Sequence, residues 1–134
     1  MKKILCILLY LQVSALLLFA QDCATVKVSN LDSVVLKSNN LIINNLNVSI
    51  GDALMGGTKA TAQCTGNNKS DDGINYTVYI AAFDSSENLI ACFNLEPGMN
   101  IHEEGKIETL ETSGMVSNEA KNSIDHFRIQ LVVQ

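Results

Sequence analysis

The segment 75–98 constrains the fold more than any other part of the chain, because it has the pattern of a β-hairpin. Over 74–84, apolar residues recur at every second position, and a second apolar run over 88–95 follows a polar turn and ends before Pro97-Gly98. Alternation with period two, rich in β-branched and aromatic residues, is typical of strands that bury one face. The segment therefore predicts two antiparallel strands, and it contains no catalytic motif.

The rest of the chain repeats this pattern in short runs separated by clusters of Asn, Ser, Asp and Gly. Strands of this length, without long helical patterns, are typical of a β-sandwich or a small barrel. We therefore predict an all-β fold, an antiparallel β-sandwich of about seven strands, with one short helical turn within 116–124 that Ser117 would cap. The runs are 24–29 continued by 34–37, then 41–50, 59–65, 74–84, 88–95, 105–112 and 126–133.

The first twenty residues have the layout of a secretory signal peptide. Lys2 and Lys3 precede an almost entirely apolar run over 4–19, and Ala20 supplies the small residue at the cut. The apolar run is short for a spanning helix, which needs roughly 20 residues, although a retained signal anchor is the alternative. We predict cleavage of 1–20 and a secreted or periplasmic product, with 21–134 as a single domain.

The charge balance excludes two classes of partner. Without Lys2 and Lys3, seven Lys and Arg stand against fourteen Asp and Glu, so the net charge is 7 − 14 = −7. Nucleic acids and anionic membranes both require clustered cations. We therefore expect no nucleic acid partner and, after cleavage, no membrane association.

Three cysteines remain once Cys6 leaves with the signal peptide. Cys23, Cys64 and Cys92 allow at most one internal disulfide and one spare thiol. Cys64 and Cys92 lie in predicted strands, so Cys64–Cys92 is the favoured bridge. The alternatives are a bridge from Cys23, near the new N-terminus, to either of them, and three reduced cysteines. No CxxC spacing supports redox or zinc chemistry.

The sequence contains little that would support catalysis. Acyl transfer needs a nucleophile, a base and an orienting group, and His102 and His126 have no accompanying motif. We predict a protein that is not an enzyme, with no cofactor. Calcium or carbohydrate binding by the loops 66–73 and 100–105 is the alternative, because Asp71, Asp72 and the backbone carbonyls of 66–73 offer oxygen ligands.

Tyr79 and Phe83 form the best candidate contact surface. They share one face of the strand 74–84, opposite a larger apolar set that is the better core face. The alternative is that another strand or a partner covers them, or that both faces are partly buried, as in a central strand. Exposed aromatic pairs are typical of binding surfaces. Asp84 ends the same strand, and its carboxylate is explained by bonds to the amides of Ser86 or Glu87.

The hairpin also resembles a known family. Residues 80–84 (Ile-Ala-Ala-Phe-Asp) end the first strand with an aromatic-Asp pair, and residues 85–88 form a turn without the usual glycine. The second strand begins with residues 89–92, and residues 95–98 (Leu-Glu-Pro-Gly) form the break that ends it. This order resembles the FxLYD-type domains, small exported immunoglobulin-like modules, over about 60–133. The resemblance implies an immunoglobulin-like sandwich without catalytic activity.

Together these observations predict a secreted, non-catalytic β-sandwich module that acts by binding a protein or glycan partner or by structural association. A calcium- or carbohydrate-binding domain that uses its end loops is the alternative.

Overall fold

The computed structural model describes residues 23–54, 56–97 and 107–134. The predicted signal peptide and the loop 100–105 lie outside these residues. The described chain is all-β and forms eight strands and two 3-10 turns. The strands are β1 (Cys23–Lys27), β2 (Leu36–Ser38), β3 (Leu41–Asp52), β4 (Thr58–Asn68), β5 (Tyr76–Phe83), β6 (Leu89–Leu95), β7 (Ile107–Val116) and β8 (His126–Val133), and the 3-10 turns are Val28–Ser33 and Asn118–Asn122.

The strands form two antiparallel sheets of four strands each. The order β1-β8-β5-β6 defines what we call the front sheet, and the order β2-β3-β4-β7 defines the back sheet. The chain crosses between the sheets after β1, β4, β6 and β7. Antiparallel pairing throughout lets each sheet bury one face and expose the other.

One hydrophobic core lies between the inner faces of the two sheets. Period-two alternation sends every second side chain inward, so Ile80 of β5 and Cys64 of β4 are both fully buried. The predicted inward residues of the three best-patterned strands are confirmed as buried at Ala60, Ala62 and Cys64 on β4, Tyr76, Val78, Ile80 and Ala82 on β5, and Phe127, Ile129 and Leu131 on β8. Ile74 and Val133, predicted on the same faces, are half-buried against the core.

The first two predicted runs do not share an edge. The 3-10 turn Val28–Ser33 separates them and carries the chain from the front sheet to the back sheet, which gives eight strands instead of about seven. Leu31 anchors this turn in the core, at 5% exposure. The alternation pattern does not detect a turn that buries only one residue.

The second 3-10 turn lies within the predicted helical segment. Ser117 precedes it, as predicted, but its side chain makes no capping hydrogen bond; its backbone carbonyl instead accepts the amide of Ala120 at 3.0 Å. The turn follows β7, which runs to Val116 and is longer than predicted.

Candidate functional site

Tyr79 and Phe83 lie on the outer face of the front sheet, on either side of Ala81. Tyr79 is 37% exposed and Phe83 is half-buried, whereas the alternate positions Val78 and Ile80 are fully buried. The burial confirms which face of β5 forms the core.

A shallow cleft of about 320 Å³ surrounds these side chains. Strand pairing places Gln130 beside Tyr79 and Arg128 beside Ala81 on β8, and β1 continues the same rows with Cys23 and Thr25. The small side chain of Ala81 leaves a depression between its larger neighbours. The outer face therefore combines an exposed ring, an apolar floor and a polar rim.

Phe83 is covered by two side chains of β8. His126 lies directly opposite it in the sheet and stacks on it, with the ring centroids 5.5 Å apart and the planes inclined by 11°. The guanidinium carbon of Arg128 lies 4.5 Å from the centre of the Phe83 ring, which is cation–π geometry. Tyr79 is therefore the more exposed of the two predicted rings.

Carboxylates hold these two covering side chains in place. Glu87, in the turn between β5 and β6, forms an ion pair with Arg128, and its second oxygen lies 3.6 Å from Nε2 of His126. Asp125 lies 3.1 Å from Nδ1 of His126 and accepts a hydrogen bond from Lys27 at 2.7 Å. The bond from Lys27, and then that from His126, lowers the pKa of Asp125. Lys27 and Arg128 are thus each paired with a carboxylate.

Asp84 organises the turn that carries Glu87. Its carboxylate accepts the amides of Ser86 and Asn88 at 2.8 and 2.9 Å, and a bond from the Asn88 side chain at 2.9 Å. The bonds from Asn88 hold the pKa of Asp84 below its ordinary value. The predicted bond to Ser86 is confirmed, whereas the second backbone donor is Asn88 and not Glu87.

Glu87 occupies the turn position where glycine is usual. Its φ of 66° lies in the left-handed region, which three-residue hairpin loops require at their last position. A non-glycine residue there costs about 1–2 kcal/mol. Its side chain reaches back across the sheet to β8 from this conformation.

The Cys64–Cys92 bridge is not formed. Cys64 belongs to the back sheet and lies fully buried in the core, whereas Cys92 belongs to β6 of the front sheet and is exposed. Cys23 is exposed too, so all three thiols are free. Burial raises the pKa of Cys64 to about 12, and this thiol therefore stays neutral as part of the core.

The predicted loop 66–73 is shorter than expected, because β4 extends to Asn68. The amide side chain of Asn68 forms hydrogen bonds within the remaining turn. The side chain of Asn68 accepts the amide of Ser70 at 2.9 Å and donates to the carbonyl of Asp72 at 2.7 Å. Within residues 23–54, 56–97 and 107–134, no three His, Cys, Asp or Glu side chains are grouped as metal ligands. The second loop of the calcium alternative, 100–105, lies outside these residues. No helix in the described part of the chain has the length and hydropathy to span a membrane.

Comparison of the chain with protein-family models, curated proteins and solved structures found no match. The resemblance to FxLYD-type domains stays a prediction.

Sequence reasoning missed the side chains that cover Phe83. Arg128 and Glu87 are 41 positions apart, and only the antiparallel pairing of β5 with β8 brings them together. Alternation does predict that Arg128 faces outward, but not which ring it contacts.

Proposed function

We propose that this protein is a secreted, non-catalytic binding module and that it contacts a partner protein through the outer face of the front sheet around Tyr79. The observation that carries the proposal is the cleft beside Tyr79, which has an apolar floor and a polar rim. Protein-binding hot spots are enriched in tyrosine and arginine and are surrounded by polar groups that exclude water.

The pairing of charges favours an uncharged, apolar contact. Arg128 is paired with Glu87, and Lys27 with Asp125, so a partner need not supply an acidic group for either cation. An apolar side chain entering the depression over Ala81 would lose little polar solvation. This supports a hydrophobic anchor from the partner.

A protein fits this face better than a glycan does. A sugar-binding platform uses open aromatic faces, and the Phe83 ring is covered by Arg128 and His126. Tyr79 alone offers a smaller stacking surface than the predicted pair. Glycan binding is therefore an alternative outcome for the test below.

The strand arrangement supports an immunoglobulin-like assignment within the same proposal. In that fold, the second and fifth strands are neighbours in one sheet, and the third and sixth are neighbours in the other. If β3 is counted as the first strand, β4 and β7 are the second and fifth, and β5 and β8 are the third and sixth. Each of these pairs lies side by side in one sheet, as in the immunoglobulin fold. Here β1 lies beside β8, where the final strand of an immunoglobulin domain would lie.

Quantitative capture of partners from the medium of the producing cells tests the proposal. The Tyr79→Ala variant should capture at least tenfold less of the partner than the unmodified protein does. The Ile107→Ala variant, which removes an exposed apolar side chain from the back sheet, should capture the same amount. Both variants should keep the unfolding midpoint of the unmodified protein. Equal capture by the two variants, or binding of glycans alone on an array, would overturn the assignment of this face to a protein partner.

A further inference from the structure

The four outer strands of the two sheets differ in how well they are protected from pairing with another chain. β2 has only three residues, and β1 has five and carries Lys27. β7 is long but turns Glu108 toward the core side, where one carboxylate oxygen is buried without a hydrogen-bond partner among the described residues. Short length, lysine and inward-pointing charge are devices by which proteins block sheet edges.

β6 differs from these three strands because Leu89–Leu95 contains no charged residue and no proline. Leu89 is 59% exposed and Cys92 is exposed. A cleft of about 440 Å³ runs between this strand and β7, so solvent reaches the edge. Among the described residues, β6 pairs with β5 alone. Uncharged apolar strands with one unpaired edge are templates for strand addition.

We propose that β6 pairs in antiparallel fashion with β6 of a second copy of this chain. The pairing would be isologous and would join the two front sheets into one continuous sheet of eight strands. Because β6 is uncharged, no like charges oppose one another along the pair, although the whole chain has a net charge of −5.

The position of Cys92 determines what such a pair would look like. Cys92 is the fourth of seven residues, so a two-fold axis at the centre of the strand places it opposite its own copy. Directly opposed residues in antiparallel pairs have Cα atoms about 4.5–5.5 Å apart, and disulfides span about 4.4–6.8 Å. Ile90 is the one bulge residue of β6, so the regular pairs about this axis are Cys92 with Cys92 and Ala91 with Phe93. The pair could therefore be trapped by a Cys92–Cys92 disulfide.

Cys23 provides an internal control for this trap. It is exposed on the same outer face, but on β1 at the opposite edge of the sheet. Three strand spacings separate it from Cys92, about 14 Å, which is too far for a bridge within one chain. If copies met by random collision, disulfides between them would form at Cys23 and at Cys92 alike. Pairing through β6 would form them at Cys92.

The trapping experiment uses glutathione disulfide as the oxidant and the full chain with Cys6→Ser. The thiolate of Cys92 displaces one glutathione and forms a mixed disulfide; Cys92 of the second copy then displaces the other, so two protein thiols are oxidised and one glutathione disulfide is reduced. We expect a covalent dimer whose peptide map contains mainly Cys92–Cys92. A map with Cys23 in comparable amounts, or a chain that stays monomeric, overturns the proposal.

Sedimentation of the reduced protein tests the same interface without a covalent bond. A seven-residue strand pair buries less than the roughly 1,200 Å² of a standard-size interface, so we expect a dimer that dissociates on dilution. Cys92→Lys should weaken association at least tenfold, because it opposes two ammonium groups at the two-fold axis, whereas Cys23→Lys should not. Equal behaviour of the two variants, both with an unchanged unfolding midpoint, would refute pairing through β6. The readout is mass alone, so it does not depend on the proposed partner-binding face.

Discussion

Gly66 of β4 is the position where the structure predicts the sharpest effect of adding one methyl group. A Cβ there would lie 2.9 Å from Cζ of Tyr76 and closer still to its hydroxyl oxygen. Real Cβ atoms almost never approach below 3.0 Å, and ordinary contact begins at 3.4 Å. Tyr76 is only 6% exposed, so its ring can retreat only by displacing its neighbours.

We expect Gly66→Ala to lower the free energy of unfolding by about 1–3 kcal/mol, which is the usual cost of overpacking a core. The left-handed glycines among the described residues are Gly56 and Gly57, so the cost at Gly66 comes from the contact and not from backbone strain. Urea denaturation followed by circular dichroism measures it. The matched control is Gly114→Ala on the neighbouring strand β7, where nothing lies within 4 Å of the added methyl group. There we expect no loss, or a gain of up to about 1 kcal/mol.

A double-mutant cycle identifies the obstacle. Tyr76→Phe removes the hydroxyl, the atom nearest to the added Cβ, and leaves the ring carbon at 2.9 Å. Gly66→Ala should therefore cost about 1 kcal/mol less in the Tyr76→Phe background, which is a typical coupling between residues in contact. If Gly66→Ala is tolerated as well as Gly114→Ala, or if the two changes are additive, the packing argument is refuted.

Two further predictions concern pH and the hairpin turn. The unfolded chain begins to ionise Cys64 near its ordinary pKa of 9.0 and Tyr76 near 10.0, whereas burial raises both pKa values to about 12 in the fold. The unfolded state therefore binds fewer protons above pH 9, and the urea midpoint should fall from pH 9 toward pH 12; an unchanged midpoint at pH 11 would contradict this. At Glu87, Glu87→Gly relieves the left-handed backbone but loses the exposed ion pair with Arg128, worth about 0–1 kcal/mol, whereas Glu87→Gln loses the charge and keeps the strain. The glycine variant should be about 1 kcal/mol more stable than the glutamine variant by urea denaturation, and the opposite order would contradict the left-handed assignment.

The alternation pattern could predict which side chains of a strand face the core, because that depends only on period two along the chain. It therefore assigned the inner and outer faces of β5 and β8 correctly. It could not predict which strands are neighbours, because pairing is non-local. Cys64 and Cys92 both lie in strands as predicted, but those strands belong to different sheets.

The same non-local pairing changes what the predicted contact surface offers. Tyr79 and Phe83 are equivalent by pattern, two alternate outward positions on one strand. The pairing of β5 with β8 places His126 beside Phe83, and Glu87 in the turn brings Arg128 over its ring. Phe83 is therefore covered by side chains of β8, whereas Tyr79 remains exposed.

The face and the edge of the front sheet offer different chemical groups, so the two proposed interactions do not compete. A partner at Tyr79 contacts side chains along the sheet normal, whereas a second copy at β6 pairs with backbone N–H and C=O groups in the plane of the sheet. Pairing at the edge would also place two Tyr79 clefts on one continuous surface, and two linked sites can exceed the affinity of either alone. The Tyr79→Ala variant should therefore still form the Cys92–Cys92 dimer, and the Cys92→Lys variant should still bind the partner, but with lower avidity for a surface that presents several copies of it. A variant that loses both interactions while it remains folded would show that the cleft and the edge are parts of one interface.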